Sequence, residues 1–322
     1  MRHRALTSRR RFGACLAILF LAGVDSAPAS DVAAVSPSPP AEREAISPIP
    51  SPPEADPAKV ALGEQLFADP RLSGDGKHSC LSCHDIRTNG AGSHRFDTGV
   101  DGAKLRFNTL TVFDAALSFR LGWEGKSRTL EAEAEVSLDN PQLMGTSVEQ
   151  AVKRLGADPE LASRFSAIYG HAINRSSLLD VISTYERTLL TPGSPFDRWL
   201  EGDKDAISTT EQEGYRLFKS LGCISCHQGV NVGGNLFERP GIFSPLTSSS
   251  PGLLRVPSLR NVAVTAPYFD DGSVATLDEA VRKMGTAQLD RALSDQQVAA
   301  IVAFLGSLTG TYRGVPVTAP SP

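Results

Sequence analysis

The sequence predicts a mostly α-helical protein built from two similar halves. Three observations carry this: apolar residues recur at helical spacing, strand signals are sparse, and the motif C-x-x-C-H occurs twice in matching surroundings, as CLSCH (80–84) and CISCH (223–227).

Residues 1–29 begin with five arginines, continue with an apolar run from Phe12 to Val24, and reach Ala27-Pro28-Ala29. This is the pattern of a signal peptide, so the mature chain is expected in the periplasm. The apolar run is short for a membrane span. Residues 30–55 are expected to form a Pro-rich disordered linker, with seven prolines between 37 and 53. From Asp56 the composition turns globular, and Asp56-Pro57 reads as the N-cap and first turn of a helix.

The stretch ALGEQLFADPRLS precedes the first motif and EQEGYRLFKSLG precedes the second, each as an amphipathic helix. Downstream, RFNTLTVF (106–113) pairs with RVPSLRNV (255–262), and GWEGKSRTLEAEA (122–134) with PYFDDGSVATLDEA (267–280). Gly125 and Gly272 lie 147 residues apart, as do Leu130 and Leu277. Between the halves, Val152, Leu155, Leu161, Phe165, Ile168, Leu178, Leu179 and Ile182 keep helical spacing. Ser294 to Gln297 form a capping box before a helix carrying Val298, Ile301, Val302 and Leu305. The expected domains are 56–200 and 201–316, followed by a tail at 317–322.

The chain has 32 basic and 36 acidic residues; removing the leader takes five Arg and one Asp and leaves 27 and 35, a net charge near −8. Such a surface excludes nucleic acid as a natural partner. Cys15 departs with the leader, so Cys80, Cys83, Cys223 and Cys226 remain, all within C-x-x-C-H. That spacing is the attachment signature of c-type haem: each thiol bonds one vinyl group, and His84 or His227 ligates the iron. A zinc site would have to join pairs 143 residues apart and ignore both histidines. A redox dithiol would need a βαβ setting, which is missing. Two covalent haems follow.

A haem held by one histidine either takes a sixth ligand or stays open, and this decides between electron transfer and chemistry. Met284, 57 residues after His227, is the candidate for the second haem. Met144 reads as structural, His171 as a surface residue, and His78 as proximal by its closeness to His84; His94 lies in a loop able to approach the first iron.

With LGEQLFADPRLS, CLSCH, GWEGKSRTLEAEA, NPQLMG, FDRWLEGDKDAIS, GCISCHQGVNVGG, RVPSLRNVAVTAPYFDDG and MGTAQL in view, the chain resembles the bacterial dihaem cytochrome c peroxidases and their relatives, the methylamine-dehydrogenase maturation enzymes. The resemblance implies two cytochrome-c-like haem domains, the first reacting with peroxide and the second accepting electrons. It implies His84 and His227 as proximal ligands, Met284 as distal ligand of the second haem, and Glu131 as the active-site carboxylate. It further implies a calcium ion held by the Asn108 side chain and the Thr265 and Pro267 carbonyls. The implied partners are hydrogen peroxide, a small donor protein (cytochrome c or a cupredoxin) and a second copy in a homodimer. Departures from the family pattern are Val100 for a removable distal histidine, Leu121 for a glutamine, Phe113 for a tryptophan between the haems, and Asp270 for a histidine. Two rival functions stand beside peroxidase: a maturation-type oxidase acting on another protein, for which a tyrosine would replace Met284, and a plain electron-transfer cytochrome, which needs both irons six-coordinate. With Val100 unable to ligate, the first haem is expected to be open in the oxidised protein.

Overall fold

The computed structural model describes residues 44–247 and 252–321, so the leader lies outside the described residues. Ten helices are described. In the first half these are α1 (Pro57–Phe67), α2 (Cys80–Cys83), α3 (Leu130–Asp139), α4 (Val148–Gly156), α5 (Pro159–Tyr169) and α6 (Arg175–Glu186). They are followed by α7 (Pro195–Leu200), α8 (Thr209–Ser220), α9 (Leu277–Leu289) and α10 (Asp295–Gly306). Strand structure is limited to two antiparallel pairs of two-residue strands, Phe237–Glu238 with Leu254–Arg255 and Thr311–Tyr312 with Val315–Pro316.

The two halves are assembled alike. In the first, α1 packs on α6; in the second, α8 packs on α10. Each crossing is close because a glycine faces the partner backbone. A Cβ on Gly63 would sit 2.3 Å from the Val181 carbonyl oxygen, and one on Gly214 would sit 1.9 Å from that of Ala300. Both glycines begin a G-x-x-L-F sequence whose Leu and Phe are buried. Leu62, Leu66, Leu155, Phe165, Leu178 and Val181 fill the first core. Phe196, Tyr215, Phe218, Ile301 and Phe304 fill the second, with Phe196 and Tyr215 ring centroids 4.8 Å apart in an edge contact.

Four sequence expectations change. Residues 44–50 are not a disordered linker: Ile46 and Ile49, 2% and 4% exposed, are buried, and Ile46 joins the second core. The reason is both apolar and polar. Arg260 Nη2 donates to Ser47 O (2.8 Å), Ile49 N donates to Asp197 Oδ1 (3.4 Å), and Gly229 N donates to Ala45 O (2.8 Å). Second, α7, which the expected boundary at 200 assigns to the first domain, packs its Phe196 and Trp199 into the second core. Third, the C-terminal segment is anchored on the first half. Val317 is buried with Phe67, Phe113, Tyr185 and Leu189, and Arg313 makes a two-bonded ion pair with Glu64 at 2.8 and 2.9 Å.

The fourth change concerns the repeat. Asp114 and Asn261 both adopt left-handed backbone (φ 59° and 60°) and both precede a short 3-10 turn. The bridge Leu121–Ser127 is repeated as Tyr268–Val274. Every one of these pairs is offset by 147, so residues 108–115, not 106–113, correspond to 255–262. The two-residue slip arose because both stretches start with an arginine, whereas Arg106 is exposed and Arg255 is buried.

Arg260 and Asp197, each with a side chain 1% exposed, form an ion pair at 2.8 Å. Arg260 Nε also donates to Val230 O (2.8 Å) in the loop after the second motif. Arg260→Ala leaves a carboxylate and two carbonyls without their donor, and is expected to cost about 3–5 kcal/mol. A urea unfolding curve should show a lower midpoint at unchanged slope; a loss under about 1 kcal/mol would show that the pair is not structural.

Candidate haem sites

Each C-x-x-C-H sits on one tight turn that closes on a cavity. In the first, His84 N donates to Cys80 O at 2.9 Å; in the second, His227 N donates to Cys223 O at 3.0 Å. Each imidazole is oriented the same way: Nδ1–H of His84 donates to Gly90 O (3.1 Å) and that of His227 to Val232 O (3.2 Å). This assigns the proton to Nδ1 and leaves Nε2 as the free lone pair, the state a metal-ligating histidine requires. Burial lowers both imidazoles, that of His227 to about 4, so both are neutral at pH 7. Burial also pushes Cys80 up to about 12 and Cys83 and Cys223 to about 11, which is unlike a reactive dithiol.

Cys80, Cys83 and His84 line one cavity, and Cys223, Cys226 and His227 line another. A metal site built from all four cysteines is therefore excluded by geometry. The donor set and the two largely apolar cavities fit two covalently held haems. Arg255 adds a further sign of fit. It is 6% exposed and lines both cavities, with Nε donating to Gly122 O at 2.9 Å. Burial lowers its pKa to about 10, and among the described residues it forms no ion pair. A buried guanidinium between two haem cavities suits the haem carboxylates. Thr109, Leu110, Thr111 and Ser258 also line both cavities, so the wall between them is one layer of chain.

The 147-residue repeat makes the cavities comparable position by position. On α9, Leu277, Ala280, Val281, Met284 and Gly285 face the second cavity; on α3, Leu130, Glu133, Ala134, Ser137 and Leu138 face the first. Met284 thus shares the second cavity with His227, and its counterpart in the first cavity is Ser137, whose hydroxyl is no haem-iron ligand of the usual kind.

Glu131 is placed elsewhere. It is one residue past Leu130 and so turned about 100° around the helix from the cavity face. Its carboxylate accepts from Ser183 Oγ (2.8 Å) on α6 and pairs with Arg187, the residue that caps the end of that helix. Burial would raise its pKa, but the hydrogen bonds from its own backbone, Ser183 and Arg187 outweigh this and hold it at about 2. To reach the cavity it would have to leave both partners. His94 is exposed and lines neither cavity; His171 is exposed and bonds Ala172 O. His78 stands at the edge of the first cavity, paired with Asp75 at 2.7 Å, and Met144 lies in the first apolar core and also lines the first cavity. Val100 lines neither haem cavity, whereas Leu121 and Phe113 line the first. Asn108, Thr265 and Pro267 come together on the wall of the second cavity, beside Asp270. Sequence reasoning missed Arg255, Ser137, Glu133, Glu186 and Trp123, all of which line a cavity. The 147-residue offset applied to Met284 would have found Ser137.

Two haem-attachment turns, with Met284 on α9 lining the second cavity where α3 presents Ser137 to the first, define a dihaem c-type cytochrome with unequal sites. Residues 57–205 match the di-haem cytochrome c peroxidase family and residues 211–309 match cytochrome c. The chain is 37% identical over 300 residues to cytochrome c551 peroxidase of Nitrosomonas europaea, covering 87% of this chain and 89% of that protein. It is 38% identical over 287 residues to cytochrome c peroxidase Ccp of Escherichia coli, covering 84% of this chain but 62% of that longer protein. Among solved structures, a MauG-like protein associated with microbial copper homeostasis aligns with a TM-score of 0.71 at 27% identity, over 81% of this chain and 93% of that one. The diheme peroxidase BthA from Burkholderia thailandensis shares the fold, with a TM-score of 0.69 at 18% identity over 83% and 91% of the two chains. The chain belongs to the dihaem cytochrome c peroxidase family.

Met284→Leu should abolish the weak charge-transfer absorption of methionine-ligated ferric haem and convert the second haem from low to high spin. An unchanged band in the variant would place the ligand elsewhere.

Proposed function

We propose that the protein reduces hydrogen peroxide to water with electrons taken one at a time from a small redox protein, cytochrome c or a cupredoxin. One observation carries the reading: at the position where the second repeat presents Met284, the first presents Ser137. Met284 would give the second haem a thioether ligand, which raises a haem's potential and suits an electron store, while Ser137 at the equivalent place would leave the first haem with no such ligand from α3. When bound, the first haem supplies the peroxide-binding iron and its redox chemistry. The chain's own part is to orient His84 through Gly90, to keep the pocket apolar with Leu121, Leu130 and Leu138, and to supply a carboxyl group from α3 that moves the proton. The thin wall of Thr109–Thr111, Arg255 and Ser258 supports passage of electrons between the sites.

The oxidised protein is expected to show one high-spin and one low-spin haem by electron paramagnetic resonance, and to reoxidise a reduced donor when peroxide is added. Two low-spin haems with no peroxide turnover would instead make it an electron-transfer cytochrome.

The family pattern and the donor chemistry also support a calcium ion held by Asn108 Oδ1 and the Thr265 and Pro267 carbonyls. Asn108 donates through Nδ2 to His94 O (3.0 Å) and Arg95 O (3.3 Å), which turns its carbonyl oxygen the other way. All three donors are hard oxygens. Asn108→Ala should weaken calcium binding in calorimetry on chelator-treated protein; unchanged affinity would put the ion at another site.

A further inference from the structure

Each proximal histidine is turned by the carbonyl of a residue in the left-handed region, and the two residues differ. At the first site it is Gly90, φ 65°, where a glycine carries no strain. At the second it is Val232, φ 49°. A β-branched residue in that region is an outlier that persists only where its surroundings force it. The acceptors also differ in how they are shared. Gly90 O accepts from Val112 N (3.0 Å) as well as from His84. Among the described residues, His227 Nδ1 is the one donor to Val232 O.

The force on Val232 comes from chain distant in sequence. Its side chain is 0% exposed and belongs to the same core as Ile46. The three residues before it are tied one by one. Gly229 N donates to Ala45 O (2.8 Å), Val230 O accepts from Arg260 Nε (2.8 Å), and Asn231 Nδ2 donates to Asp114 O (3.0 Å). Two of these ties lead to residues 44–50, because Arg260 also donates to Ser47 O at 2.8 Å. The residue after it leaves no slack: a Cβ on Gly233 would sit 2.1 Å from Pro257 O. The loop at the first site is held differently, by Asn89 Nδ2 donating to Val264 O (2.6 Å).

The geometry points to residues 44–50, acting through Val232, as the element that sets the reduction potential of the second haem, by fixing the Val232 carbonyl on His227 Nδ1. An acceptor at Nδ1 makes an imidazole a stronger donor through Nε2, which favours ferric over ferrous iron. Loosening that bond therefore raises the potential. The segment that closes the second core is thus also a positioning element for its haem ligand, and the first site has no equivalent. The inference needs His227 to hold a haem; it does not need the protein to reduce peroxide.

The test is a potentiometric titration of the full, haem-loaded chain, which resolves two one-electron steps, the higher one from the methionine-ligated haem. Val232→Gly keeps the left-handed backbone accessible but removes the side chain that fixes it. Ile46→Ala loosens the segment from the other side, with Ile46→Val in its place should that variant not load haem. Val232→Gly is expected to raise the higher step by about tenfold in the ferrous-to-ferric ratio, or 59 mV for one electron. The Ile46 variant should move it the same way by less, and Val232→Ile, which keeps the β-branch, should stay at the parent value. The lower step should hold in all of them. On the same samples, the g values of the low-spin ferric signal should shift in Val232→Gly and return in Val232→Ile. A higher step unmoved in both the Val232→Gly and Ile46 variants, whatever their thermal stability, would overturn the proposal, as would equal movement of both steps. A parent that reduces no peroxide would sink the peroxidase reading and leave these comparisons intact.

Discussion

The two haem cavities are held apart and in register by one buried polar node. Asp114 and Asn261, both fully buried and both left-handed, occupy the same place in the two repeats. Asp114 accepts from Thr191 N (2.9 Å), Thr191 Oγ1 (2.6 Å) and Asn261 Nδ2 (3.4 Å), and its backbone carbonyl accepts from Asn231 Nδ2 (3.0 Å). Asn261 Oδ1 accepts from Gly310 N (3.0 Å). Every strand of this node comes from a different part of the chain. Leaving one such group unpaired costs about 1–3 kcal/mol, so the set forms together or not at all. Burial raises Asp114 to about 6 against the lowering effect of its hydrogen bonds from Thr191.

With the junction set, the duplication does the rest. Each half closes a glycine-mediated helix crossing behind its haem turn and lays one helix, α3 or α9, across the opposite face. Function then depends on a few side chains at equivalent places. Met284 lines the second cavity where Ser137 lines the first, and Ala280 lines the second where Glu133 lines the first. Because the halves share a backbone plan, these exchanges alter chemistry without altering the fold, as expected when function is carried by the site rather than the architecture.

The end segments are exchanged between the halves. Residues 44–50 pack on the second half, and the stretch from Thr311 to Val317 packs on the first. Each half is thus sealed by chain distant in sequence, and the Arg260–Asp197 pair is covered by the first of these segments.

Haem attachment, the helical character and the duplication were legible in the sequence, because each depends on residues close together: C-x-x-C-H on one turn, apolar spacing on one helix, caps at one end. Met284 was legible as the methionine 57 residues after His227, and Leu130 through its 147-residue offset from Leu277. The repeat register around 106–113 was misjudged because arginines at 106 and 255 look alike until burial separates them. The Pro-rich stretch read as disordered because its two isoleucines have no partners within their own segment. Glu131 and Glu133 are both acidic and two residues apart, so composition cannot choose between them. Only the tertiary structure, by turning α3 so that Leu130, Glu133 and Ser137 face the cavity while Arg187, just beyond α6, takes Glu131, decides which carboxylate lines the first cavity. A local motif can specify its own turn, but the direction a helix faces is set by what packs against it.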